Sequence, residues 1–370
     1  MTLSILAVVV VAVVLIQLVG DEGQSGGTGN SPAGGVAPTS AVRAVTVDAS
    51  TLPTLPPTYT PSPTQPPPPT QTPLPTAPPL SYYILIMSAR GPGQRTESIF
   101  RMAANGSGDM IQLTDDEGSD LYPVISPNGQ DVLFVSDRAG SPELFTVDTS
   151  GSGSPRQLTS LGATLLESPS WSPDGEHIVF NAEFDTSPDS EIYIIARGRP
   201  NELTQLTDNQ AADRDPAWSP DGSTIAFTSD RDTPDYPQIY AVPADCQETF
   251  GRCEDQVTLL ERSQYASTAP AWSPDGQYIA FASNRKRIDD YDIYVMRASG
   301  SDVRLLTLDA YGGGQGNDTG PVWSPDSQWI AFMSDRIVGR FQIYVMLTDG
   351  SGARGVTSVV GDATSPVWLP

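Results

Sequence analysis

The sequence predicts an all-β fold: a six-bladed β-propeller of four-stranded antiparallel blades, closed by strands from both termini. Three observations predict it. The motif WSPDG stands at Trp171–Gly175, Trp218–Gly222 and Trp272–Gly276, with WSPDS at Trp323–Ser327 and a worn copy, ISPNG, at Ile125–Gly129. Counted from the Trp position through Trp368, the spacings are 46, 47, 54, 51 and 45 residues, the period of a propeller blade. Each full unit also holds four short runs rich in β-branched and aromatic residues, separated by Gly, Asp, Pro and Ser.

The first run of each unit ends at the Trp position, as in DPAWS and GPVWS. The second reads DVLFVS, HIVFNA, TIAFTS, YIAFAS and WIAFMS, and the third ELFTV, EIYII, QIYAV, DIYVM and QIYVM. The fourth is short, as in RQLT and RLLT. Between the first two runs, Pro173, Pro220, Pro274 and Pro325 suit the second position of a tight turn, and the Gly that follows three of them tolerates positive φ. The motif is therefore a hairpin. Its aromatics, Trp171, Trp218, Trp272, Trp323 and Trp368, are expected to pack between neighbouring blades.

The ends complete the count. YYILIMSAR (Tyr82–Arg90), SIFRM and IQLT supply strands two to four of a unit with no first strand, and SPVWLP (Ser365–Pro370) supplies a first strand alone. Joined, they make a sixth blade, and a ring sealed this way covers the edge that the incomplete first unit would leave free. The extra length between Trp218 and Trp272 is accounted for by an insertion holding Cys246 and Cys253, which are expected to form a disulfide in an exported protein.

The propeller occupies residues 81–370. Before it, residues 1–20 include the apolar run LSILAVVVVAVVLIQLV, free of charged side chains. A membrane anchor is the expectation, with a cleaved signal segment as the alternative. Residues 21–80 are a linker, first Gly/Ser-rich and then Thr/Pro-rich, which favours extended polyproline II and acts as a semi-rigid spacer. The arrangement predicts a membrane-anchored, extracytoplasmic domain, or a secreted one.

Formal net charge is -24, and residues 81–370 hold 41 acidic and 19 basic side chains with one lysine, Lys286. Such a surface repels nucleic-acid phosphates, so no nucleic-acid partner is expected. With His177 the single histidine, neither a His/Cys zinc site nor a Ser–His–Asp triad with an evident partner can be assembled.

The PxWSPDGxxIAFxSxR…DIYVM…RLT pattern resembles the TolB-type, WD40-like (PD40) propeller repeat of bacterial envelope proteins. The resemblance covers residues 81–370 and implies a propeller that binds a protein or peptide at its central opening. Residues 81–370 hold no GxSxG elbow, although peptidase relatives carry the same repeat, and the histidines of a lyase-type metal site are missing. The expected role is a non-enzymatic binding module; the alternative is a carbohydrate- or peptide-active enzyme on the same scaffold.

Candidate contact residues follow from the ring. Three residues before each proline stand Asp120, Leu166, Asp213, Ser267, Asp318 and Ala363. If the first strands line the channel, Asp120, Asp213 and Asp318 converge at its rim, where carboxylates suit Ca²⁺ or a basic peptide. No cofactor is otherwise required. Arg138, Arg231, Arg285 and Arg336, with Arg90 read in the same place, end the second strands and are expected to be structural. Breaks in the repeat at Glu183–Asp189, the cysteine insertion and Tyr311–Gly320 mark variable loops. The last, with Tyr311, Gly312, Gly313, Gly314 and Asn317, is the candidate binding loop.

Overall fold

The computed structural model describes residues 79–369, apart from 81–82, 91–92, 95, 116, 247–251, 289, 308–315 and 337–338. The anchor or signal segment, nearly all of the linker, and Tyr311–Gly314 of the candidate loop lie outside the described residues. Among the described residues no helix is long and apolar enough to cross a membrane.

Blade 1 contains β1 (Ile84–Ala89), β2 (Ser98–Ala103) and β3 (Ile111–Gln112). Blade 2 is β4 (Asp120–Ile125), β5 (Asp131–Ser136), β6 (Glu143–Asp148) and β7 (Arg156–Gln157). Blade 3 is β8 (Leu165–Trp171), β9 (His177–Phe184), β10 (Ser187–Ala196) and β11 (Arg199–Gln205). Blade 4 is β12 (Asp213–Trp218), β13 (Thr224–Ser229), β14 (Gln238–Pro243) and β15 (Thr258–Glu261). Blade 5 is β16 (Ser267–Trp272), β17 (Tyr278–Arg287), β18 (Asp290–Arg297) and β19 (Arg304–Leu305). Blade 6 is β20 (Asp318–Trp323), β21 (Trp329–Ser334), β22 (Gln342–Leu347) and β23 (Arg354–Gly355), and β24 (Ala363–Leu369) returns to blade 1.

All six sheets are antiparallel and four-stranded, and the first has the order β24-β1-β2-β3, so both ends of the domain share one blade. Ile84 pairs with Leu369 and Ala89 with Ala363. The first strands adjoin one another around the ring, β24 to β4, β8, β12, β16, β20 and back to β24, and so line the central channel.

Second strands are apolar on both faces because each lies inside its blade with a blade on either side. Phe134, Phe180, Phe227, Phe281 and Phe332 are fully buried at one register. Each faces an aromatic on the third strand; Phe134–Phe145, Phe227–Tyr240 and Phe281–Tyr294 have ring centroids 6.0, 6.1 and 5.9 Å apart. Such cross-strand aromatic pairs stabilise by about 0.5–1.5 kcal/mol beyond area burial.

The repeated turn explains its own letters. The Ser172 hydroxyl donates to Asp174 Oδ1 (2.5 Å) and accepts from the His177 N–H (2.8 Å), while Asp174 Oδ1 also accepts from the Glu176 N–H. Ser219/Asp221, Ser273/Asp275 and Ser324/Asp326 repeat the serine–aspartate bond. Gly175, at φ 72°, sits where a side chain is strained. Two of the tryptophans bridge blades: the indole N–H of Trp323 donates to Ala271 O (3.0 Å) and that of Trp368 to Val322 O (3.1 Å), each across a blade boundary. Cys246 and Cys253 form the expected disulfide, next to a short 3-10 helix at Cys253–Gln256.

Candidate functional site: the inner strands and the channel

Asp120, Asp213 and Asp318 head β4, β12 and β20, but each is buried inside its own blade. Arg138 donates to both oxygens of Asp120 at 2.9 Å. Arg231 donates to Asp213 Oδ2 at 2.8 Å, and Arg336 pairs with Asp318 Oδ2. The same guanidinium lies against the blade's aromatic pair; Arg231, for example, is 5.3 Å from the Phe227 ring centre and 5.1 Å from that of Tyr240. The expected convergence of three carboxylates at the rim is therefore corrected, because an arginine of the same blade neutralises each one. Among the described residues no group of three or more His, Cys, Asp and Glu side chains is placed to hold a metal ion.

Arg285 is a variation on the pair. Ser267 replaces the aspartate, and the carboxylate comes from Glu261 on the preceding blade, 3.1 Å from Arg285 Nη2. Arg90 departs from the repeat. Ala89 pairs with Ala363 as Ser136 pairs with Asp120, so Arg90 stands one residue early in register, and it pairs with Glu97 instead. Asn317 braces its loop: its N–H donates to Asp335 Oδ1 (2.7 Å), and its Oδ1 accepts from the Tyr291 N–H (3.3 Å).

The channel is shaped by a feature that motif reading missed. In every first strand the residue before the proline has positive φ: Tyr122 53°, Ser168 49°, Asp215 54°, Ala269 52°, Gly320 58° and Ser365 50°. Pairing with the second strand breaks at the same point, between Leu121 and Val124 in blade 2 and at the matching residues of blades 3 to 6. These are β-bulges, which re-aim side chains and concentrate at functional rims. The signal in the sequence was the residue before each proline, where most residues avoid this backbone.

The bulged residues differ around the ring. Tyr122 OH donates to Glu167 Oε1 (3.0 Å) on the next first strand, and Ser168 Oγ donates to Asp215 Oδ1 (3.1 Å) on the one after. Thr228 Oγ1 donates to Asp215 Oδ2 (3.2 Å) and accepts from the Ala269 N–H (3.1 Å). Burial pushes the carboxyls of Glu167 and Asp215 above the ordinary range. It also raises the Tyr122 phenol, with the Glu167 charge adding to the effect. Arg214, exposed, is the neighbouring cation. Blades 5, 6 and 1 present Ala269, Gly320 and Ser365 instead, and a Cβ on Gly320 would meet Met333 Cε at 2.7 Å. One half of the channel is thus polar and ionisable, the other small and weakly polar.

Comparison with known proteins agrees with this architecture. The TolB beta propeller domain model matches residues 163–253 and 252–370. The chain belongs to the TolB β-propeller family. It is 32% identical over 209 residues to an uncharacterized protein of Agrobacterium fabrum, an alignment spanning 56% of this chain and 61% of that one. It is 40% identical over 114 residues to the Tol-Pal system protein TolB of Anaeromyxobacter dehalogenans, spanning 30% of this chain and 24% of that one. The crystal structure of TolB from Acinetobacter baumannii superposes with a TM-score of 0.64 at 22% identity, covering 79% of this chain and 68% of that chain, a likeness of fold. The chain thus spans well under two thirds of the TolB relative it matches in sequence.

Proposed function

We propose that this TolB-type propeller is a non-catalytic, extracytoplasmic binding module that takes a protein or peptide segment at its central channel. A Tol-Pal system protein among its relatives supports both the location and the kind of partner. Tethering to a membrane through residues 1–20 belongs to the same proposal. The observation that carries it is the polar half of the channel, where Tyr122, Glu167, Ser168 and Asp215 of three successive first strands are joined by hydrogen bonds. A peptide laid along the bulged strands meets donors and acceptors there, and small residues opposite leave it room. A catalytic reading finds less support: His177 heads β9, in the turn where its N–H is held by Ser172.

The test is photo-crosslinking from a channel position in the full-length chain, in its native envelope, with and without Glu167→Gln/Asp215→Asn. A discrete partner captured by the wild type and lost from the double variant is the expected result. Capture that ignores the double variant sinks the channel reading. Turnover of a peptide or glycoside substrate by the purified chain sinks the non-catalytic one.

A further inference from the structure

Between blades 3 and 4, on the side of the Ser–Pro–Asp–Gly turns and away from the candidate rim, lies a cleft of about 690 Å³. His177, Thr204, Trp218 and Ala244 line it, with Asp174, Asp221 and Asp245 at its edge. Three other blade interfaces show what can fill this level, whereas that of blades 4 and 5 has Ala298 and Thr258 at the equivalent places. The N–H of Arg197 bonds to Glu176 O just as that of Ala244 bonds to Ser223 O and that of Thr149 to Gln130 O, so the three residues are equivalent.

Between blades 2 and 3, Arg197 places its guanidinium 5.5 Å from the Trp171 ring centre and 3.6 Å from Asp131 Oδ2. Between blades 1 and 2, Arg101 reaches Thr149 O at 3.2 Å. Between blades 5 and 6, Arg297 and Arg304 lie 5.9 and 5.7 Å from the Tyr278 ring centre. Three interfaces therefore carry arginines of the protein itself. At the interface of blades 3 and 4 the positions of Asp131, Arg156 and Arg197 are held by His177, Thr204 and Ala244, and the space is open. Arg199 also lines the cleft, but its guanidinium is bound to Glu202 at 2.8 Å.

We propose that this cleft is a second binding site, for an arginine side chain of a partner peptide, with the guanidinium against Trp218 as Arg197 lies against Trp171. A planar cation on an indole face is favourable, and more so beside carboxylates. The edge supplies them. The Ser172 hydroxyl holds the Asp174 carboxyl below its ordinary range, and the Ser219 hydroxyl holds that of Asp221 down to about 2. Both are anionic at neutral pH, and with Asp245 they outnumber the one arginine, itself neutralised, in the cleft.

The site is independent of the channel, so its test leaves the channel proposal untouched. The probe is acetyl-Gly-Arg-Gly-amide, titrated calorimetrically into the full-length chain, with the isosteric, uncharged citrulline peptide as the comparison. Saturable one-to-one binding of the arginine peptide is expected, at least ~10-fold tighter than the citrulline peptide. Ala244→Arg, which fills the cleft from within, should abolish binding. Asp221→Asn should weaken it several-fold without unfolding the turn, since Asn128 already stands at the equivalent place in blade 2. Asp275→Asn, the same change in blade 5, should leave it unaltered. Absence of saturable binding, equal affinity for the two peptides, or full binding by the folded Asp221→Asn and Ala244→Arg variants would each overturn the proposal.

Discussion

Blades 2, 4 and 6 begin their first strand with a buried aspartate held by an arginine eighteen residues on, whereas blade 3 has Leu166 and Phe184 in the same two places. Leu166 is fully buried, and Phe184 packs edge-on against Tyr193 with ring centres 5.4 Å apart. The ring accepts either solution, and where blade 5 keeps the arginine without the aspartate, Glu261 supplies the carboxylate. A buried ion pair is close to neutral against a well-packed apolar pair, while half of an ion pair is strongly unfavourable. The pairs are therefore fastenings with interchangeable chemistry, and a recurring aspartate is no sign of a ligand.

Blade 1 has neither fastening, since Ala363 heads β24 and Arg90 is turned to Glu97. It depends on β24, so deleting Ser365–Pro370, and with it the Trp368 indole bound to Val322 O, should bring the largest loss. The deletion should abolish the cooperative thermal transition of the wild type; an unchanged melting temperature would contradict the closure. Next in size is Arg231→Ala, which leaves Asp213 and Glu254 without their cation. A loss of about 3–5 kcal/mol in denaturant unfolding is expected. A double-mutant cycle in blade 2 tests whether the two fastenings are interchangeable. Asp120→Leu and Arg138→Phe should each destabilise, but the double variant, copying blade 3, should recover most of the loss, with a coupling of at least ~1.5 kcal/mol. Additive losses would mean that blade 3 is stabilised by something else.

The smallest effect is in pH. Burial raises the Glu191 carboxyl to about 7 and that of Asp292 to about 6. Asp213 and Glu254 add to the first shift, and Asp290 and Asp318 to the second. Protonated in the fold and ionised when unfolded, these groups contribute stability that is full below about pH 4 and is lost as pH rises through 6 to 7. Melting temperature should fall between pH 5 and pH 8, by a loss of ~1–2 kcal/mol after allowing for solvent screening. Glu191→Gln should flatten that slope; an equal slope in the variant would assign it elsewhere.

Most of the fold was legible because each blade repeats its own local instructions: a turn fixed by Ser, Pro, Asp and Gly, and strands whose apolar residues cannot face water. The one-plus-three closure was legible because a missing strand at one end had its match at the other. The site was less so. Asp120 and Arg138 are joined by a spacing that recurs at Asp213/Arg231 and Asp318/Arg336, and that coincidence was the available sign that these aspartates are occupied. Tyr122 and Glu167 could not be connected from sequence, because they meet across two blades and no repeat carries the pair. The cleft beside Trp218 was invisible for a different reason. It is made by short side chains at Thr204 and Ala244, which matter only against the arginines at the interfaces of blades 1 and 2, 2 and 3, and 5 and 6.

The pairing of Ile84 with Leu369 also governs how the ring is assembled. Hairpins within a blade close over a few residues and can form as the chain emerges, but this contact spans nearly the whole domain. Its loop-closure entropy is about 5 kcal/mol by the logarithmic rule, recovered only when the last strand docks. Until then the other blades form an open arc with an unpaired β1 edge, a ready template for another chain. The slowest step of folding, and the interval most in need of a chaperone, should therefore come after all but one strand is in place.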